Sequence, residues 1–397
     1  MTTVLFFSNL YPSSKTPTRG VFNRHVFGAI AEHCDVRVVS PLPWWSQRED
    51  PDRWFFGLKE NFTGLHASFP TYWSVPGLHT WHARGMYLSL KHELIKLHSS
   101  FPFEAILASW AYPDAAAAAH FARFFRVPLV TNVLGSDINA LTTYPRLTPQ
   151  IRATLEASAR IISVSGALKT KIVEMGIAPP KIVVQHNGVD RHEFCIREKE
   201  DARVCLDLDP EPQRIVYVGN FVEEKGVDVL VKAFSLLLSQ KENLRLSLVG
   251  SGNLQPRLRE IVEEMGLTGK VEFHGRRSHE EIPLWMSAAD LFCLPSLREG
   301  CPNVVLEALS SGVPVVASRV GGVPEILNET QGELTEAGNP QALSASLCRA
   351  LEREWNPELL RDSVSGCSWT DVGSHYYRIL SYAIEEFRGT NSTGFSI

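Results

Sequence analysis

The sequence predicts an α/β protein made of two doubly wound parallel-sheet domains in tandem. Three observations predict this fold class. The chain has 397 residues, which exceeds what a single hydrophobic core usually organises. Short segments that are apolar along their whole length alternate with segments of helical periodicity, as expected for parallel strands covered by helices on both faces. The alternation stops at 187–212 and then restarts, which indicates a second domain of the same type.

The first half of the chain contains six predicted strands and four predicted helices. The strands lie at 4–10, 35–40, 104–108, 127–133, 160–164 and 181–185, and the helices at 21–33, 78–98, 113–125 and 165–175. We therefore assign residues 1–190 to an N-terminal Rossmann-like domain. Residues 191–212 carry a charge run and little periodicity, and they are predicted to be a linker.

The second half repeats the same pattern without repeating the sequence. Its predicted strands lie at 214–219, 244–250, 271–273, 291–294 and 313–317, and its helices at 226–240, 253–265, 279–288, 304–309, 339–352 and 370–387. Residues 213–369 are assigned to the C-terminal domain. Ligands of such sheets bind beyond the carboxyl ends of the strands, here expected in the cleft between the domains.

Composition excludes several classes of protein. The net charge of -5 gives no reason to expect nucleic-acid binding. The seven cysteines are scattered without a metal-ligand spacing, which favours a reducing cytoplasm over a disulfide framework. The N-terminus has the pattern of a first strand and not of a signal peptide, and no apolar run is long enough to span a bilayer. We therefore expect a cytoplasmic protein.

The segment 294–325 is the main candidate site. Glu299 and Glu307 flank a turn-forming run, which comprises Gly300, Cys301, Pro302 and Asn303 and leads into an apolar helix from Val304. Asn303 is predicted as the N-cap of this helix. A helix start presents backbone N–H groups to an anion, and two nearby carboxylates suit sugar hydroxyls. The alternative is an ordinary strand–loop–helix connection with solvated acids.

Other candidate residues follow predicted strands. Asn220 and Lys225 lie in the loop after 214–219, where a lysine can reach a phosphate, although a surface lysine is an equal alternative. Gly252 and Arg276 end two further strands. In the first half, Gly20 precedes a helix as a second phosphate contact. Asp137 follows a strand, with a helix N-cap as its alternative role.

Helix 78–98 is amphipathic and basic. It is predicted either to pack in the core or to meet a membrane surface or a lipid-linked substrate. The pair Asp207 and Asp209 resembles a metal-binding motif of some sugar transferases, but it follows no strand, so we expect no metal site.

These motifs together resemble those of family 4 glycosyltransferases, retaining enzymes of the two-domain GT-B fold. The resemblance covers nearly the whole chain and is most specific in the second half. Its motifs there are Lys225-Gly226, Gly250-Ser251-Gly252, the Glu299/Glu307 pair and Gly321-Gly322-Val323-Pro324-Glu325. In the first half, Thr18-Arg19-Gly20, Trp110-Ala111-Tyr112-Pro113-Asp114 and Gly135-Ser136-Asp137 are similar to the branch that makes teichuronic acid and exopolysaccharides.

The resemblance implies a nucleotide-diphosphate sugar as donor and no resident cofactor or metal. It implies that Glu307 binds the ribose, Glu299 the donor sugar, and Lys225 the departing diphosphate. The backbone from Gly300 to Val304 would hold the sugar and phosphate. The acceptor would be a glycan, a lipid-linked molecule or a small molecule, with peripheral association at the inner membrane face left open. Residues 370–390 match the family's terminal helix, which crosses back to the first domain.

Two departures from the family pattern affect the expected chemistry. Asn220 replaces a common arginine at the diphosphate, and Leu134 replaces a histidine that faces the donor sugar. Arg276, Arg277, Arg24 and His25 are candidates to compensate, the last two on the acceptor side together with Asp137. The main alternative is a transferase-like protein that binds nucleotide sugar without transferring it. A further alternative is another GT-B enzyme, such as a phosphorylase or an epimerase.

Overall fold

A computed structural model describes residues 1–17, 19–47, 58–60 and 64–392. The chain divides into two compact units. The first unit contains Met1–Asn187 together with Trp369–Ile397, and the second contains Gly188–Ser368. Among the described residues, no helix combines the length and apolarity needed to cross a bilayer.

The first unit is built on an eight-stranded sheet. Its strand order is β10-β9-β8-β7-β1-β2-β5-β4, and all neighbours are parallel except β4 and β5. A separate parallel pair, β3 and β6, lies beside it. The strands are β1 (Thr3–Phe7), β2 (Asp35–Val39), β3 (Leu42–Pro43), β4 (Leu58–Glu60), β5 (Ala67–Phe69), β6 (Thr71–Tyr72), β7 (Ala105–Ser109), β8 (Leu129–Val133), β9 (Arg160–Ser163) and β10 (Ile182–Val184).

Helices cover both faces of this sheet, since β7 and β8 are buried along their whole length. The C-terminal helix packs against the first helix, and its apolar residues join the core beneath β1. The helices of the unit are α1 (Val21–Ala31), α2 (His82–Ser100), α3 (Ala116–Phe125), α4 (Ser136–Asn139), α5 (Thr148–Ala157), α6 (Gly166–Glu174) and, from the end of the chain, α15 (Trp369–Ser392).

The second unit has a six-stranded, wholly parallel sheet of order β13-β12-β11-β14-β15-β16. Its strands are β11 (Gln213–Val218), β12 (Leu244–Val249), β13 (Val271–Gly275), β14 (Leu291–Leu294), β15 (Val315–Ser318) and β16 (Gly332–Thr335). Its helices are α7 (Lys199–Cys205), α8 (Val227–Leu238), α9 (Gln255–Glu264), α10 (Ile282–Ser287), α11 (Asn303–Ser310), α12 (Val323–Ile326), α13 (Pro340–Glu352) and α14 (Pro357–Asp362).

The predicted fold class is confirmed, and every predicted strand and helix of both halves is present in the structure. The elements that the sequence did not predict are short or polar. They include β16, which has four residues and a central glutamate, and α5, where polar residues dilute the apolar periodicity.

The segment 191–212, predicted as a linker, belongs to the second unit and contains α7. Its charge run concealed a helix because the charges are anchored. Arg203 is buried and its guanidinium donates to the Asp290 carboxylate at 2.6 Å and to the carbonyl of Ala288 at 3.0 Å. A charge run is therefore compatible with a packed helix when a partly buried acid faces it.

Candidate functional site

The candidate donor site lies where the strand order of the second sheet reverses. Strands β12 and β13 extend to one side of β11, whereas β14, β15 and β16 extend to the other. The loops after β11 and β14 therefore diverge at their carboxyl ends, which is where ligands of open α/β sheets bind. Lys225 lies in the first loop and Glu299 in the second.

Lys225 and Glu299 form an ion pair at this switch point. The lysine Nζ lies 2.6 Å from Oε1 of Glu299, and the same oxygen accepts the Ser296 hydroxyl at 2.7 Å. The Glu299 side chain is 8% exposed, whereas that of Lys225 is 28% exposed. The carboxylate is thus held in place and the ammonium remains accessible to an incoming anion. Ser296 was not among the predicted site residues, although it follows β14 directly.

Backbone contacts join the loops on which the pair sits. The N–H of Leu297 donates to the Glu224 carbonyl at 2.8 Å, and that of Gly322 donates to the Gly300 carbonyl at 2.9 Å. Gly321 has a φ of +52°, and a β-carbon there would overlap the carbonyl oxygen of Glu299. The glycine after β15 therefore permits the close approach that sets the position of Glu299.

Helix α11 begins directly after this loop. Pro302 is extended and occupies the N-cap position, and Asn303 is the first helical residue. The prediction of Asn303 as N-cap is wrong by one residue, because proline already supplies the extended conformation before the helix. The loop from Gly300 to Val304 still brings a helix start next to Glu299, and Cys301 and Pro302 are buried beneath it.

Glu307 lies in the second turn of α11 and is half-buried. Burial, with a smaller contribution from the negative charge of Glu193, raises the pKa of Glu307 to about 8. At neutral pH the carboxyl is therefore mostly protonated in the ligand-free protein. A carboxyl of this kind gains from a ligand that supplies hydrogen bonds to its charged form.

The loop after β11 is held from below. Tyr217 is fully buried, and its hydroxyl donates to the Asn220 carbonyl at 2.9 Å, which leaves the Asn220 side chain exposed. Burial and the nearby Glu299 raise the pKa of Tyr217. Gly252 is exposed in the next loop, and Arg276 is exposed after β13. Tyr217 was missed because a tyrosine within an apolar strand is indistinguishable from core.

Asp137 in the first unit is a buried anchor for backbone groups. One carboxylate oxygen accepts the N–H groups of Leu134 and Gly135 at 3.0 and 2.8 Å, and the other accepts that of Ala111 at 2.9 Å. It is fully buried, and burial raises its pKa. Asp137 thus orders the loops after β7 and β8, and its contacts differ from those of the N-cap considered as its alternative.

The remaining first-unit candidates occupy different positions. Gly20 directly precedes α1, where its carbonyl accepts the Asn23 N–H at 2.9 Å, and Thr18 of the same motif lies outside the described residues. Arg24 is half-buried on α1. The His25 ring stacks on Trp369 of α15, with centroids 5.2 Å apart. His25 therefore packs within the first unit, and this stacking gives it a structural role.

Asp114 belongs to the motif at 110–114 and is a buried carboxyl that was not predicted as a site residue. It is fully buried, and no side chain of the described residues donates a hydrogen bond to either of its oxygens. Burial raises its pKa well above the usual range, and Asp137 adds to this shift, whereas the Asn9 N–H and Arg19 oppose it. A buried carboxyl without a side-chain hydrogen-bond donor is costly, so its presence after β7 indicates a functional or conformational role.

Within the described residues, no group of three or more His, Cys, Asp or Glu side chains is placed to hold a metal ion. The positive charge at the candidate donor site comes from Lys225 and the start of α11.

Two family models match the chain, one in each half. Residues 21–193 match the model described as Glycosyltransferase Family 4. Residues 198–364 match the model described as Glycosyl transferases group 1. Together they cover the second sheet, the first sheet except β1, and the candidate donor site.

Among similar proteins is TuaC of Bacillus subtilis, named as a teichuronic acid biosynthesis glycosyltransferase. It is 28% identical over 374 residues, which cover 90% of this chain and 92% of TuaC. The amylovoran biosynthesis glycosyltransferase AmsK of Erwinia amylovora is 30% identical over 218 residues, covering 53% of this chain and 50% of AmsK.

Solved structures share the fold along almost the whole chain. Sucrose-phosphate synthase from Thermosynechococcus elongatus has a TM-score of 0.77 at 20% identity, covering 96% of this chain and 100% of its own. Anabaena HepE in complex with UDP has a TM-score of 0.70 at 16% identity, covering 99% and 100%.

Two doubly wound units, with a cationic site at the switch point of the second sheet, define a glycosyltransferase of the GT-B fold. The two family models and the similar proteins identify the family within this class. The chain belongs to the family 4 glycosyltransferases and is similar to members named for teichuronic acid and amylovoran biosynthesis.

Proposed function

We propose that the protein is a retaining, metal-independent glycosyltransferase that moves a sugar from a nucleotide-diphosphate sugar to a glycan or glycolipid acceptor. The observation that carries this proposal is the Lys225–Glu299 pair at the switch point of the second sheet. The pair combines an accessible cation for a diphosphate with a fixed carboxylate for sugar hydroxyls, and α11 begins beside it.

In this proposal the donor separates the two charges that are paired in the free protein. The diphosphate binds the Lys225 ammonium, and Glu299 becomes available to accept hydrogen bonds from the donor sugar. Ser296 keeps the carboxylate oriented while its lysine partner turns to the phosphate. Glu307 holds the ribose hydroxyls, and the backbone from Gly300 to Val304 holds the sugar and phosphate.

The proposed reaction breaks the bond between the anomeric carbon and the phosphate oxygen. The acceptor hydroxyl oxygen forms the new bond on the same face, its proton passes to the departing diphosphate, and the anomeric configuration is retained. Lys225 stabilises the charge that develops on the leaving group. In typical oxyanion sites, one such donor lowers the activation free energy by about 3 kcal/mol. This charge compensation is the reason that we propose a metal-independent enzyme.

We assign the acceptor to the first unit, at the carboxyl ends of β1, β7 and β8. Asp114 supports this assignment, because a buried carboxyl to which no described side chain donates a hydrogen bond gains from an acceptor hydroxyl. The names of TuaC and AmsK support a polysaccharide or its precursor as acceptor. HepE was solved with UDP, which supports uridine nucleotides as the first donors to test.

The experiment measures nucleoside diphosphate released from a panel of nucleotide sugars, with lipid-linked and soluble glycan acceptors and with EDTA present. We expect Lys225→Ala to lower kcat by about a hundredfold, as for the loss of one transition-state donor. We expect Glu307→Ala to weaken nucleotide binding about tenfold, the effect of losing roughly 1.4 kcal/mol. The anomeric configuration of the product, read by NMR, tests retention.

Lys232→Ala is the matched control, since Lys232 lies on α8 and pairs with Asp228. It removes the same charge from the helix that follows the Lys225 loop and is expected to leave kcat and nucleotide affinity unchanged. A protein that binds uridine diphosphate but releases none from any donor would be the transferase-like binding protein suggested by Leu134 and Asn220. Activity that disappears with EDTA would contradict metal independence.

A further inference from the structure

The first unit carries a groove that the transferase chemistry does not use. It has a volume of about 800 Å³ and lies between the start of α2, helix α3 and helix α5. No aspartate or glutamate lines it. Its described lining includes aromatic and aliphatic side chains (Trp81, Tyr87, Leu88) and basic ones (Arg84, His120, Arg123).

The cations of this groove are not neutralised by carboxylates. Among the residues that the structure describes, Arg84 and Arg123 form no ion pair. Arg84 instead lies over the Trp81 ring at 5.6 Å. Both arginines also act on His120, whose pKa is lowered by burial and then by the charges of Arg84 and Arg123. Positive charge is therefore concentrated here although the whole chain carries a net charge of -5.

Large apolar side chains are exposed among these cations. Leu88 is 63% exposed and Trp81 is 59% exposed. Leu88 follows Arg84 by one helical turn on α2, and Lys91 continues the same face, with its Nζ 4.7 Å above the ring of the exposed Phe124. Exposed aromatic and aliphatic groups interleaved with unpaired cations are typical of segments that lie in a membrane interface.

We propose that this face, formed by α2, α3 and α5 around the groove, docks on an anionic phospholipid surface. The arginines and Lys91 contact the phosphate headgroups, while Trp81, Leu88 and Phe124 enter the boundary between headgroups and acyl chains. The proposal goes beyond the transfer reaction, because it concerns where the enzyme works and not what it transfers.

A second copy of the chain is a poorer occupant of this face. A two-fold dimer would bring the same basic surface together from both copies, and no acidic residue of the groove could compensate. A phospholipid leaflet supplies many anionic groups above an apolar layer, which complements both features of the face.

The experiment is flotation of the protein with two kinds of vesicle. One contains phosphatidylcholine alone. In the other, about 30 parts in 100 are phosphatidylglycerol, which gives an anionic leaflet with a surface potential of about -30 mV or more negative. We expect binding to the anionic vesicles only. The double variant Arg84→Ala/Arg123→Ala should lower the partition coefficient about tenfold or more, since each basic residue near a charged leaflet contributes about 1 kcal/mol. Leu88→Ser should lower it too, and added salt should weaken the wild type.

The matched control is Lys232→Ala/Arg257→Ala, which removes two charges from exposed positions of the second unit and should bind as the wild type does. Thermal unfolding and nucleotide titration of all variants show whether folding and the donor site are intact, so failure of the transferase proposal is distinguishable. Equal binding to neutral and anionic vesicles, or unchanged binding of the double variant, overturns the proposal. Sedimentation that reveals a dimer lost in Leu88→Ser assigns the face to a second copy instead.

Discussion

Glu307 shows at the scale of one residue how burial prepares a ligand site. Its raised pKa, about 8, follows mainly from burial and secondarily from Glu193, whose Oε2 lies 3.6 Å from Nε2 of His279. An ionised carboxylate can accept charge-assisted hydrogen bonds from both hydroxyls of a ribose. In the proposed site, nucleotide binding therefore favours the charged form and expels a proton.

This linkage predicts a pH dependence of nucleotide affinity. Because the pKa of Glu307 is raised in the free protein, affinity should increase from pH 7 until about pH 8 and then level off. The increase can reach about tenfold per pH unit below the pKa. Titration calorimetry in buffers of different ionisation enthalpy measures both the affinity and the proton released.

The control for this prediction is Glu307→Gln, which keeps the shape of the side chain and cannot ionise. Its affinity should lack the component that rises towards pH 8, so that only the titration of the nucleotide itself remains. An identical pH profile in wild type and Glu307→Gln would show that the ribose is not read by this carboxyl.

Single residues were predictable where a motif and a strand end coincide. Lys225 and Glu299 were expected on different loops of one site, and their side chains meet at 2.6 Å. Asp137 also lies in a motif at the end of a strand, yet its carboxylate accepts hydrogen bonds from three backbone N–H groups. Sequence position indicates which edge of the sheet a residue occupies, but the partners of a carboxylate depend on how neighbouring loops fold around it.

The segment 294–325 is a continuous run of structure from the end of β14 through α11 and β15 to the start of α12. Its helix ends as predicted, because the N–H groups of Gly312 and Val313 donate to the carbonyls of Leu309 and Ala308. Helices and buried strands of this kind were predictable from periodicity. The strands β3 and β6 have two residues each, too few to show any period.

At this scale, Gly321→Ala tests whether the loop after β15 sets the position of Glu299. The substitution introduces a left-handed alanine, which costs about 1–2 kcal/mol, and a methyl group that overlaps the Glu299 carbonyl. We expect nucleotide-sugar affinity to fall about tenfold or more, equivalent to roughly 1.4 kcal/mol. Calorimetry with a nucleotide sugar provides the measurement.

Gly269→Ala is the matched control, because Gly269 has a φ of +77° and nothing within 4 Å of a β-carbon. It incurs the same backbone cost without the overlap, so stability should fall in both variants and affinity only in Gly321→Ala. Equal affinities would mean that the loop moves aside without disturbing Glu299.

At the scale of the whole molecule, the first unit is discontinuous in sequence. Helix α15 follows the entire second unit, yet its Tyr376, Leu380 and Ala383 are buried in the core of the first. The side chain of Arg388 pairs with Glu104 near the end of this helix. The first unit therefore reaches its full stability only after α15 has been synthesised.

Helix α15 approaches α1 closely at Gly373, which provides a test of this coupling. A β-carbon at 373 would lie 2.6 Å from atoms of Ala29, whereas one at Gly28 would have no neighbour within 4 Å. Gly28→Ala should stabilise the first unit by about 0.5–1 kcal/mol through helix propensity. Gly373→Ala should destabilise it by about 1–3 kcal/mol, because the overlap with Ala29 costs more than the gain in helix propensity. In calorimetric unfolding of the full chain, both substitutions should move the transition of the first unit and leave that of the second in place. If Gly373→Ala raised the transition as Gly28→Ala does, α15 would not be packed tightly on α1, and the first unit would not depend on the end of the chain.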